Sequence, residues 1–251
     1  MLEQEFFINV LSLVWFFTCW IGYTFYARRK AVSTSCLASE LHNYRRLWMR
    51  RVMLRDNRVG DAALIANLER NVSFLASTSI LILAGLLTVF TVAEQTLELV
   101  SEIPLATDNS PLSIKLKVCL LVVIFVHAFF TFTWSMRQYG FCSIILGGAP
   151  LMTEPDVTEE ERSRYAFYAA RVIDLAGLSY NTGLRAYYFA LSVLAWFLSP
   201  YLFILSSTFV VAVLYRREFK SRSLLAFRRK HLFSVQSSSA LKGTAKSLLP
   251  I

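Results

Sequence analysis

Four stretches of this chain are apolar almost without interruption: about 6–27, 72–93, 114–136 and 186–215. A hydrocarbon core of about 30 Å takes roughly 20 apolar residues per helix, and lipid tolerates no unpaired backbone, so each stretch reads as a membrane-spanning α-helix. Between them the period changes. Leu37, Leu41, Tyr44, Trp48 and Val52 recur at spacings of three and four, one face of an amphipathic helix, while Arg45, Arg46, Arg50 and Arg51 cover much of the rest. A second polar segment opens at Thr158-Glu159-Glu160-Glu161, a capping box with Thr158 as N-cap and Glu161 three residues on. Ala166, Ala169, Ala170, Ile173 and Ala176 then give a small-residue face suited to close helix packing. The pattern predicts an all-α polytopic integral membrane protein. It has one helical domain over 1–222, about four transmembrane helices with amphipathic cytoplasmic helices, and a flexible basic tail over 223–251.

The last apolar block is the exception to a simple threading. As one helix it would run about 45 Å, and Pro200 stands near its middle, where proline kinks or breaks a helix. A single crossing, the favoured reading, leaves the following Arg216, Arg217, Lys220 and Arg222 outside. The rival is a hairpin of two half-helices meeting at Ser199-Pro200, which returns that basic segment to the cytoplasm but leaves each half short.

Charge changes the picture from spans to orientation. The formal net charge is +9, which by itself suits nucleic acid as well as a membrane surface. Its placement decides: residues 28–70 carry a dense run of arginines, whereas the segment from Glu94 to Ser113 has no Lys or Arg and holds Glu94, Glu98, Glu102 and Asp108. By the positive-inside rule, residues 28–70 and 137–185 are cytoplasmic and the N-terminus is outside. No nucleic-acid partner is expected. The N-terminal MLEQEFF has Glu3 and Glu5 where a signal peptide carries positive charge, and no small-residue cleavage site precedes Arg28, so the first block reads as a retained span. On the basic helix, Trp48 with Arg45, Arg46, Arg50 and Arg51 suits the headgroup region of anionic lipid; packing of that helix on its own protein is the equal alternative.

Polar residues inside the spans are the candidate chemistry. In the third span His127, Thr131, Ser135 and Gln138 advance by four, four and three, so they share one helix face. Hydrated, such a face could pass protons or hold a small polar solute. Dry, it would hydrogen-bond to Ser73, Ser77 or Thr78 of the second span, and a lone His without a carboxylate partner favours that structural account. Ser73, Ser77, Ala84 and Thr88 place small residues one turn apart, the spacing that lets helices approach closely in lipid. Lys115 and Lys117, at the outer end of the third span, are expected to snorkel to the interface.

Catalytic signatures are missing. There is no Gly-rich phosphate loop, no His-Glu-x-x-His helix and no Gly-x-Ser-x-Gly turn. His42, His127 and His231 are scattered, and the four cysteines show no CxxC or other metal-like spacing, so no cofactor, metal or disulfide framework is expected. Asp56, Asp61 and Glu69 could in principle serve hydrolysis of a lipid headgroup, but ion pairs to Arg55, Arg58 and Arg70 explain them more simply.

Trp48, the run RNVSFLASTSILILAGLL from Arg70, FTWSMRQYG from Phe132, RAYYFAL near Arg185 and LYRREFKSR near the end of the last block together resemble a known group of membrane proteins. This is the family catalogued as domain of unknown function 599, and the resemblance covers roughly residues 6–222. It implies a polytopic helical protein of the bacterial inner membrane and brings no activity, substrate or site residue with it. Two functions stay open. One is an oligomeric conduit or transporter for a small ion or polar solute, slightly preferred; the other is a non-catalytic membrane scaffold that binds lipid or a protein partner.

Overall fold

The computed structural model describes residues 2–34, 36–91 and 111–227. The acidic stretch from Glu94 to Asp108 and the chain beyond residue 227 lie outside the described residues. Among those described, the long helices are α1 (Leu2–Ser33), α2 (Leu37–Val52), α3 (Val59–Thr91), α4 (Pro111–Gly147), α5 (Glu159–Trp196) and α6 (Pro200–Phe219), residues 222–227 are also helical, and there is no strand. The all-α expectation therefore stands. Three of these helices, α1, α3 and α4, are long and apolar enough to cross a membrane.

The last apolar block differs from the single helix that the favoured reading took it to be. It is not one helix. Its first part continues the capping-box helix, so α5 is a single rod of 38 residues, about 57 Å at 1.5 Å per residue. The rod ends at Trp196, and α6 starts at Pro200 and packs back against it. The local cause is proline chemistry. Pro200 cannot donate within α5, yet its fixed φ suits the first position of a new helix, and the Ser199 hydroxyl caps that helix by accepting from the Tyr201 amide at 3.3 Å. Three contacts between its arms close the hairpin: Trp196 stacks on Phe203 at 4.9 Å, the Ser206 hydroxyl donates to the Ser192 carbonyl at 3.2 Å, and Arg217 bonds the Tyr188 hydroxyl.

The bundle is ordered by its neighbours. α3 lies on α4, α4 on α5, α5 on α6, and α6 on α1. Fully buried rings fill the seams: Phe16 of α1 meets Phe189 of α5 at 5.8 Å and Phe203 of α6 at 5.1 Å, while Phe132 of α4 meets Tyr187 of α5 at 5.5 Å. Edge-to-face and offset pairs of this kind add about 0.5–1.5 kcal/mol each beyond their burial. On α3 the inward residues are Val72, Ala76 and Ser79, and Ser79 shares a 3.0 Å hydrogen bond with Tyr187.

One end of the bundle collects nearly all the described basic residues. The Lys30 ammonium meets the Tyr215 hydroxyl at 3.4 Å, the Glu218 carboxylate accepts from the Ala38 amide at 3.1 Å, and Arg58 reaches the carbonyls of Ala149 and Pro150 at 2.5 and 2.6 Å. The C-terminal ends of α1, α4 and α6 therefore meet the N-terminal ends of α3 and α5 and the whole of α2. At the opposite end, the Trp196 indole donates to Asn9 at 2.7 Å. Lys117 does not reach outward there as a snorkelling lysine would. It is 3% exposed, with its ammonium 5.7 and 5.9 Å from the rings of Trp196 and Phe197 at the C-terminus of α5, where the helix dipole favours a cation. The chain after residue 222 also begins docked: Leu224 is buried and Phe227 packs on Tyr44 at 5.1 Å.

Candidate functional site

The functional candidate is the layer that α2 and the first half of α5 build at the basic end. α2 starts after Cys36, whose amide is capped by the Ser39 hydroxyl at 2.9 Å. Its apolar positions turn onto the protein, with Met49 and Val52 buried. That face packs on α5, which supplies the complementary alanines Ala166, Ala169 and Ala170 with Ile173.

Polar contacts weld the layer at two points. Asp174 of α5 accepts from Arg45 at 2.9 Å with one carboxylate oxygen and pairs with the His42 ring through the other. Asp174 and Gly177 lie on one helix face at i and i+3, and the glycine lets the Arg45 guanidinium lie close to the helix. A β-carbon at Gly177 would stand 2.7 Å from the Arg45 guanidinium. The second weld joins α2 to α3 through Asp61, 2% exposed, which accepts from the Trp48 indole at 2.7 Å and from Arg55 at 2.9 and 3.1 Å. Trp48 and Asp61 are thirteen residues apart across a corner, so neither helical nor strand periodicity signals their contact.

The remaining arginines of α2 face outward. Arg46, Arg50 and Arg164 line an open cleft of about 300 Å³ together with Phe167 and Tyr168, and Glu160 is the one acidic residue in its wall. Arg46 also covers the Phe167 ring at 5.3 Å. The cleft is held in place by the start of α5. The Thr158 hydroxyl accepts from the Glu161 amide at 3.3 Å, the Thr158 amide and hydroxyl each donate to the Glu161 carboxylate at 2.9 Å, and those bonds hold the Glu161 carboxyl below its usual range. Arg162 locks the preceding connector through the carbonyls of Leu151, Met152 and Glu154 at 3.1, 3.2 and 2.8 Å. Arg51 is exposed beside this layer.

The residues proposed from sequence are thus dispersed among different roles. Arg45 and Trp48 are internal tethers, while Arg46 and Arg50 share a cleft. The polar face of α4 splits: the buried Ser135 hydroxyl donates to the Ala176 carbonyl at 2.8 Å and Gln138 accepts from Ser179 at 2.9 Å, both across to α5. The dry partner is α5, where the sequence suggested Ser73, Ser77 or Thr78 of α3. His127 is exposed on the bundle surface with its ring 5.8 Å from Trp20 of α1, and the Thr131 hydroxyl donates to the His127 carbonyl at 2.7 Å. Ser77, Ala84 and Thr88 lie on the exposed side of α3 and Ser73 is half-buried. The inward face, Val72, Ala76 and Ser79, is rotated from them by one residue. Asp56 is exposed and Glu69 half-buried. Among the described residues no group of His, Cys, Asp and Glu side chains forms a metal site. Asp174, Arg164 and Gly177 are the members of this layer that local sequence pattern does not single out.

The family profile described as "Protein of unknown function, DUF599" matches residues 11–223, through the whole hairpin. The chain belongs to that family. No curated protein and no solved structure matches it. The DUF599 match ends where α6 and the basic end close, one residue before the buried Leu224.

Proposed function

We propose that this protein is a multi-pass protein of the cell (inner) membrane that binds anionic phospholipid headgroups at its basic end and acts as a non-catalytic scaffold there. The N-terminus lies outside. α1, α3, α4, the second half of α5 and α6 make five crossings, with the basic end in the cytoplasm. The hairpin supports this topology because it brings Arg216, Arg217 and Lys220 to the same end as Arg45 to Arg58, as the positive-inside rule favours.

The observation that carries the binding role is the open cleft of Arg46, Arg50 and Arg164, in which three guanidinium groups face one carboxylate, Glu160. Guanidinium groups match phosphate oxygens by paired N–H donors, and Phe167 and Tyr168 beside them suit the headgroup level. Two experiments test the reading. A reporter fused after Ser237 is expected to be active in the cytoplasm; export of the reporter would overturn the topology. In zwitterionic nanodiscs, short-chain phosphatidylglycerol is expected to bind the wild type with an affinity that falls as salt rises. The combined Arg46→Gln, Arg50→Gln, Arg164→Gln variant should bind severalfold more weakly, and equal binding by the two would remove the cleft from the account.

A conduit for a small ion or polar solute is the second reading, and His127 favours it. A pore through one chain is opposed by an interior filled by Phe16, Phe132, Phe189 and Phe203, each 0% exposed. A path between copies in a homo-oligomer would instead use the exposed His127 beside Trp20. Proton flux in liposomes that falls with His127→Ala would support this reading, and absence of flux would reject it.

A further inference from the structure

We propose that the groove between α1 and α6 binds one anionic glycerophospholipid, with an acyl chain along the groove and its phosphate held at the basic end beside Arg29 and Lys30. The proposal rests on the reading of the chain as a membrane protein but uses a site separate from the arginine cleft. The groove encloses about 500 Å³, within the range of ligand sites, and runs from Trp15 past Cys19 and Gly22 to Tyr26 and Tyr215. Tyr26 is shared with a second open space of about 800 Å³ whose other walls are Phe25, Arg29 and Lys30. The apolar groove and the basic space therefore adjoin at Tyr26.

Its walls are built for a hydrocarbon. The hydroxyls of Thr18 and Thr208 are turned to the carbonyls of Val14 and Ile204, each at 2.8 Å, and Thr208 also accepts from the Trp15 indole at 3.0 Å. Gly22 faces open space, since a β-carbon there would meet nothing within 4 Å, so only a side chain much larger than alanine would fill the groove. At the mouth the Lys30 ammonium is fixed 2.6 Å from the Tyr26 hydroxyl and 5.1 Å from the ring centroids of Tyr26, Tyr215 and Phe219. A positive charge is thereby stationed at the level where tyrosines meet headgroups. Arg29 is exposed beside it. The nearby acid, Glu218, is engaged by the Ala38 amide at 3.1 Å. Charge complementarity selects an anionic lipid over a second copy of this chain, which would set Arg29, Lys30, Arg216 and Arg217 against their own equivalents.

The test uses phosphatidylglycerol and phosphatidylcholine probes carrying a photoreactive group in the acyl chain, with the full chain in nanodiscs. Phosphatidylglycerol is expected to label peptides around 15–26 and 208–215 severalfold more than phosphatidylcholine. Gly22→Phe, or Ala212→Leu from the opposite wall, should abolish that labelling, with unchanged helix content by circular dichroism as the folding control. Arg29→Gln should reduce the preference between headgroups while leaving labelling by both probes. The arginine-cleft variant should label as the wild type does, which separates failure here from failure of the cleft. Equal labelling of wild type and both filled variants would mean undifferentiated bilayer lipid and overturn the proposal. So would a Cys19–Cys19 crosslink between copies in a Cys119→Ser background, because it would put a second chain in the groove.

Discussion

Replacing Gly183 by alanine pits two effects of similar size against each other. Gly183 lies on the face of α5 that receives α4, and a β-carbon there would stand 2.5, 2.7 and 2.8 Å from three atoms of the Phe132 ring. Ordinary carbon contacts are about 3.5–4.0 Å, so something must move by about 1 Å. The ring is 0% exposed and flanked by Tyr180 and Tyr187, at centroid distances of 6.1 and 5.5 Å, which denies it an easy escape. Helix propensity favours alanine over glycine by about 1 kcal/mol, whereas forcing a methyl into a packed core costs about 1–3 kcal/mol. The steric effect should win, and Gly183→Ala is expected to destabilise by up to about 2 kcal/mol. Gly140 of α4 is the internal control. Its β-carbon would meet nothing within 4 Å, so Gly140→Ala should stabilise by about 0.5–1 kcal/mol. Reversible unfolding in mixed micelles, followed by far-ultraviolet circular dichroism, measures both. In a Phe132→Leu background the penalty at Gly183 should shrink. If Gly183→Ala stabilises the wild type as much as Gly140→Ala does, Phe132 does not abut Gly183 and the α4–α5 register is wrong.

Two further perturbations probe the basic end. Glu161 has its carboxyl held below the usual range by the Thr158 amide and hydroxyl, so its contribution is full above the unfolded value of about 4.3 and is lost as pH falls through the lower folded value. The stability difference between wild type and Glu161→Ala should therefore be largest at neutral pH and vanish in acid; a difference that grows on acidification contradicts the capping geometry. Asp61→Ala removes the acceptor shared by Trp48 and Arg55, and should destabilise by about 2 kcal/mol, the range for hydrogen bonds to a charged group, with Arg55 half-exposed and so contributing at the low end. Limited proteolysis between α2 and α3 reads that change directly, and unchanged cleavage at residues 53–58 would count against the corner.

Much of the fold was legible in local pattern. Long apolar runs must be helices wherever backbone groups cannot find water, so α1, α3 and α4 follow from composition alone. The Thr158–Glu161 box marks the start of α5 because it satisfies amides that every helix leaves open. Pro200 marks a break because it has no N–H to offer. At the candidate site, the basic character of α2 was equally plain, and Arg46 and Arg50 did emerge on an open surface.

Local pattern could not decide what those elements do next. A broken helix at Pro200 is compatible with continuing onward or turning back. The turn is settled by Trp196 on Phe203, Ser192 on Ser206 and Phe16 between both helices, contacts that one unbroken rod would hold apart. The same holds for Asp174, which pairs with His42 and Arg45 more than 120 residues away, and for Lys117, buried at an end where a long side chain could equally reach solvent. Helix formation depends on neighbours a turn apart, and the sequence by itself determined it. The partners of a given helix face depend on shape and charge brought together by the whole bundle, and only the tertiary structure decided them.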